Sequence, residues 1–66
     1  FIYPNPTQRS FNYFSETKEI LLIQSVNGET ISKLITKGNN EIDISQLNKG
    51  IYIVRVKDKT QKLVVL

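Results

Sequence analysis

Six carboxylates, Glu16, Glu19, Glu29, Glu41, Asp43 and Asp58, are the side chains of this sequence best suited to acid and base chemistry, and no His or Cys accompanies them. Catalysis by paired carboxylates needs two of them converging on one bond, and no spacing here sets up such a pair. Without His or Cys the usual general base, thiol nucleophile and imidazole ligand are missing, and the serines have no activating base. Asp43 and Ser45 point to the same side of a strand and offer oxygen atoms to a calcium ion. The same spacing suits a hydrogen-bonded turn, which is the favoured reading. Gly28, Gly38 and Gly50 form no phosphate-binding loop pattern. The expectation is no enzymatic activity, no metal and no cofactor.

Nine Lys and Arg against six Asp and Glu give a net charge of +3. The basic residues are spread along the chain, and only residues 55–62 are locally dense, with Asp58 interrupting them. Binding to nucleic acid concentrates cations on one face with aromatics between them. The pattern here reads as solvated strand faces and edge-protecting lysines, with no nucleic-acid partner.

At 66 residues the chain is expected to form one domain. A fold of this size buries only about 60% of the surface its unfolded chain exposes, so its net stability is a few kcal/mol. No disulfide and no zinc site of the usual type supplements the core. No apolar run approaches the roughly 20 residues that span a bilayer as a helix. The chain opens at Phe1 without an initiator Met. The expectation is a fragment of a longer polypeptide, with any export signal elsewhere.

Period-two alternation and β-branched residues dominate the elements that must carry any site, and no helical stripe competes with them. Residues 1–3 read as a short opening strand, stopped by two prolines. Residues 9–14 read as the next strand, ended by a polar turn at 15–18. The run Ile20-Leu21-Leu22-Ile23 suits a central strand covered on both faces. Asn27-Gly28 supplies two left-handed positions for a type I′ turn, with residues 29–36 returning. Residues 37–40 form a turn cluster, and 41–44 carry Ile42 and Ile44 on one face. Tyr52, Val54 and Val56 share one face of the next strand, opposite Arg55 and Lys57. A turn at 58–60 leads to a last strand at 61–66. About seven short antiparallel strands predict an all-β, immunoglobulin-like Greek-key β-sandwich, with a small open barrel as the competing architecture.

Residues 45–50 do not suit a two-residue hairpin and are expected to carry the chain from one sheet to the other, with Leu47 plugging the core. Gly50 permits a conformation other residues avoid, and Tyr52 follows at the start of a strand. This order suits a tyrosine corner, in which the phenol hydroxyl bonds to backbone a few residues upstream. A core aromatic with a wet tip is the other reading of Tyr52.

Four segments in a fixed order carry a resemblance. They are Tyr3-Pro4-Asn5-Pro6-Thr7, a strand ending in Asn27-Gly28, the stretch 40–56 with Leu47-Asn48-Lys49-Gly50-Ile51-Tyr52, and Lys62-Leu63-Val64-Val65. Together they resemble the C-terminal sorting domain of the type IX secretion system, over essentially the whole chain. By position, Pro4, Asn5 and Pro6 match the opening motif and Gly28 the turn glycine. Gly50 and Tyr52 match the late strand, and Lys62, Leu63, Val64 and Val65 match the terminal targeting strand. Ser25 and Glu29 stand where members often have Asp and Lys, and the Val65-Leu66 end stands where a basic or polar residue is frequent.

The resemblance implies a domain at the C-terminus of secreted proteins of the Bacteroidota, covalently linked to an N-terminal cargo. It implies recognition by the outer-membrane type IX translocon and its shuttle proteins, and removal by a sortase-like protease. The cargo passes through the periplasm to the cell surface or medium. A terminal strand at a sheet edge has backbone groups open to strand augmentation, or it merely completes the fold. Pro-Asn-Pro, likewise, has a second reading, in which it only fixes how the chain meets its first strand. An adhesive or carbohydrate-binding β-sandwich is the alternative function, disfavoured by the absence of Trp and by the need for Phe11, Phe14 and Tyr52 in the core. A passive spacer is the third.

Overall fold

The computed structural model describes residues 2–4 and 6–66. Five strands are found among them and no helix: β1 (Ile2–Tyr3), β2 (Ser10–Ser25), β3 (Thr30–Asp43), β4 (Gly50–Val56) and β5 (Lys59–Val65). All four ladders are antiparallel, and they join the strands into a single sheet. β3 lies along one side of β2. The other side of β2 is shared, with β1 against Asn12 and Tyr13 and β4 against residues 21–25. β5 follows β4.

The all-β class is as expected, but five strands in one curled sheet stand where the sequence predicts about seven in an immunoglobulin-like Greek-key sandwich. The cause lies in two polar segments, 15–18 and 37–40, each of which reads alone as a turn. In the fold they face each other. Ser15 pairs with Gly38 and Glu19 with Thr36, so residues 16–18 are opposed by Lys37 alone. Such an excess on one strand is a β-bulge, which bends a strand without ending it. Gly38 takes the inner strand round the bend at φ 74°, a value open chiefly to glycine. Asn40 Nδ2 donates to the carbonyls of Lys37 and Gly38 at 3.1 and 3.3 Å. Polar side chains here satisfy backbone groups that the bulge removes from the ladder. The predicted turns are one bend in a long hairpin, and the resulting curl is nearer to the small open barrel than to two separate sheets.

Alternation survives the bend. Phe11 and Tyr13 before it, and Leu21 and Ile23 after it, all face one apolar core with Ile42, Val54, Val56, Leu63 and Val65. Two expectations about burial fail for the same reason. Phe14 is out of phase with Phe11 and Tyr13 and is 58% exposed, and Ile20, out of phase with Leu21, is 48% exposed. The 20–23 run is central, between β3 and β4, yet it is covered on one face only.

Two turns also differ in detail. Gly28 is left-handed at φ 90° but Asn27 is not, and Gly28 N–H donates to the Ser25 carbonyl at 2.9 Å. The loop is therefore a type I turn closed by a left-handed glycine, one residue longer than a type I′ turn. The last turn is Lys57-Asp58, with Val56 paired to Lys59 and Lys57 at φ 57°.

Candidate functional site

The sheet gathers most of the motif residues around β5. Across the β4 ladder Gly50 pairs with Val65, Ile51 with Val64, Tyr52 with Leu63 and Ile53 with Lys62. On the other side of β5 the opening segment comes in parallel. Thr7 bridges to Val65, its N–H donates to the Val64 carbonyl at 2.9 Å, and its carbonyl accepts from Leu66 N–H at 2.8 Å. Pro6 lies next to this contact, so the segment Pro6-Thr7, the late glycine and tyrosine and the terminal strand occupy three adjacent backbones. Ser25 pairs with Tyr52, which puts Gly28, three residues further on, beyond the same end of the sheet. Pro4 is exposed after a cis Tyr3-Pro4 bond and is not part of the bridge. Asn5 lies outside the described residues.

The end of β5 is therefore not the open edge expected of it, because residue 7 holds Val64 and Leu66. Thr7 is the residue that sequence reasoning missed. It is buried, and its hydroxyl bonds the Ser10 carbonyl. Its signal was its place after Pro6: a β-branched residue behind a proline is predisposed to extended backbone.

The tyrosine corner is present. Tyr52 OH donates to the Asn48 carbonyl at 2.6 Å, and Leu47, half-buried, packs against the core. Gly50 at φ 151° leads into β4 from this corner. A Cβ there would meet nothing within 4 Å, so the backbone alone explains glycine. Residues 45–50 thus cross from β3, on one side of β2, to β4, on the other.

The carboxylates behave as structural acceptors. Asp43 Oδ1 takes the Ser45 N–H at 2.8 Å, and this bond holds Asp43 below the usual carboxylate range. It is the turn preferred above to a calcium site. At the bend Glu19 Oε1 accepts from Ser15 Oγ at 2.6 Å and from Tyr13 OH at 2.7 Å, while Lys57 Nζ lies 3.2 Å from Oε2. The Ser15 and Tyr13 hydrogen bonds, then Lys57, hold Glu19 at about 2. Burial first, and then its bond to Glu19, push the Tyr13 phenol up to about 12. A carboxylate so fixed stays charged at neutral pH, and exchanging protons there is not its chemistry. Among the described residues no three His, Cys, Asp or Glu gather as metal ligands.

A family model described as the secretion system C-terminal sorting domain matches residues 1–65. The chain belongs to this family. No curated protein matches the chain. As a type IX C-terminal sorting signal, the domain directs an attached cargo to the secretion machinery and through the envelope to the surface or beyond. The bridge at Thr7 gives a physical account of why motifs at opposite ends of such a sequence belong together.

Proposed function

We propose that residues 1–66 act as one sorting domain at the C-terminal side of a larger secreted protein, and that the translocon reads the end of the sheet built around β5. The residues concerned in this reading are Pro4, Asn5, Pro6, Gly28, Gly50, Tyr52, Lys62, Leu63, Val64 and Val65, of which Leu63 and Val65 are buried and act by holding β5 in place. The observation that carries it is the parallel bridge of Thr7 to Val65, which joins both chain ends in one surface. Shuttle proteins and a sortase-like protease are the further partners, the protease cutting on the cargo side of Pro4 after periplasmic transit. The domain is address and substrate, with no catalytic role of its own.

A reporter protein carrying residues 1–66 at its C-terminus tests this in cells with and without the type IX machinery. Surface or medium reporter that requires both the machinery and residues 61–66 is the expected result. Periplasmic retention of a folded fusion in both strains would falsify the reading.

A further inference from the structure

Above the bend, the outward face of the sheet carries a pattern that the motif residues do not account for. Ile20 of β2 pairs with Ile35 of β3, and both face away from the core, 48% and 65% exposed. Ile51 of β4 is half exposed on the same side, with Leu22 and Ile53 partly covered between them. Leu22 pairs with Lys33 on one side and with Arg55 on the other. With strands about 4.8 Å apart, the backbones that carry the two cations run roughly 10 Å from each other across one leucine. Arg55 Nε bonds Gln24 Oε1 at 3.4 Å, which keeps the guanidinium over the sheet.

No carboxylate among the described residues falls on this face. Glu19 is engaged by Tyr13, Ser15 and Lys57, Glu29 and Asp58 sit in turns at the strand ends, and Glu16, Glu41 and Asp43 belong to the bend or the layer below it. Contiguous exposed aliphatics on a small domain mark an interaction surface more often than chance. The cations define what covers it. A second copy placed face to face would set Lys33 and Arg55 against like charges, which disfavours a two-fold dimer. A lipid surface is ordinarily gripped by interfacial aromatics, and this face has none. Branched aliphatics between two cations match a protein surface with an apolar centre and flanking carboxylates. The face is about 10 Å across its three strands, a size suited to brief encounters.

We infer that the outward face of β3, β2 and β4 above the bend docks an acidic, apolar-centred protein surface of the secretion machinery. The inference rests on the sorting reading above, and it adds a second contact remote from the Thr7 bridge.

The test uses the reporter fusion with two paired variants, Lys33→Glu/Arg55→Glu and Ile20→Thr/Ile35→Thr. All four side chains but half-exposed Ile20 are well exposed, and Thr keeps the strand preference, so an unchanged thermal melt is expected for the second pair even if charge reversal perturbs the first. Lys37→Glu at the bend is the control for charge reversal away from the face. At least a tenfold fall in exported reporter for both pairs, with Lys37→Glu near the parent level, is the supporting result. Parent-level export of the folded Thr pair would sink the docking face, provided removal of residues 61–66 still blocks export. Parent-level export without residues 61–66 would instead remove the sorting reading on which the docking face stands. Flotation of the fusion with phosphatidylglycerol vesicles, lost on charge reversal, would overturn the proposal in favour of a membrane contact. Sedimentation as a concentration-dependent oligomer, also lost on charge reversal, would overturn it in favour of self-association.

Discussion

The two halves of the β2–β3 hairpin share strands and a core, yet their outward faces differ. Below the bend, positions facing away from the core carry Tyr3, Asn12, Phe14, Asn39 and Glu41; above it they carry Ile20, Leu22, Lys33, Ile35 and Arg55. The lower face is aromatic, amide-bearing and acidic, and the upper one aliphatic and basic. The residues that form the core are apolar in both halves, because one core serves both, with polar Asn40 and Ser32 opposite Tyr13 and Ile23. The packing demand is therefore uniform along the hairpin, and the outward difference is not explained by folding. The bend between residues 15–19 and 36–38 separates the two faces.

The largest way to break the comparison is to remove what the halves share. Phe11 lies below the bend and Leu21 above it, and both are fully buried. Phe11→Ala costs about 3–5 kcal/mol and Leu21→Ala about 2–5 kcal/mol. Either exceeds or rivals the stability available to a domain this small, so circular dichroism at 25 °C should show both variants largely unfolded. Loss of only one half's protection in hydrogen exchange would show that the halves are separate folding units.

Next comes the bend. Gly38→Ala meets no atom within 4 Å, so its cost is the left-handed backbone at φ 74°, about 1–2 kcal/mol. Urea unfolding should show that loss, and Gly38→Asn should recover part of it. Tyr52→Phe removes the bond to Asn48 and lowers stability by about 0.5–1.5 kcal/mol in the same assay. It sharpens the contrast by loosening the crossover to the upper layer alone.

Acid acts on the contact between the halves. Glu19 falls from its ordinary 4.5 to about 2 in the fold, so the protonated form is favoured more in the unfolded chain than in the folded one. The stabilisation is fully present above about pH 4.5 and is lost as pH falls through 2. Melting temperature should drop across that window. Glu19→Gln should remove part of the drop, leaving the share due to Asp43, which is lowered as well. Tyr13 works at the other extreme: its pKa is raised, so its contribution is present below pH 10 and lost as pH rises through about 12.

The smallest effects belong to the outer faces. Phe14→Thr and Ile35→Thr, at positions 58% and 65% exposed, should each move stability by less than about 0.5 kcal/mol. A larger shift at either would mean that face helps hold the fold.

Alternation alone determined the all-β class and the inward set of Tyr52, Val54 and Val56, because each depends on residues a few positions apart; the order Leu47, Gly50, Tyr52 offered the corner beside a second reading, and the bond to Asn48 in the fold decided between them. The family followed from four short motifs in order. Strand count was not legible. Residues 15–18 and 37–40 have turn composition, and only their meeting across the hairpin makes them a bulge with its polar groups satisfied. The same holds for Asn27, whose φ depends on how the loop closes, and for Ile20, whose exposure depends on nothing covering that side of the sheet. The joining of Thr7 to Val65 was decided by tertiary structure as well. A parallel bridge between residues 58 positions apart depends on the curl of the sheet, which period-two patterning does not encode. Local backbone preference and side-chain phase are properties of the sequence; which polar segments face each other, and which edge is closed, arise only when the chain returns on itself.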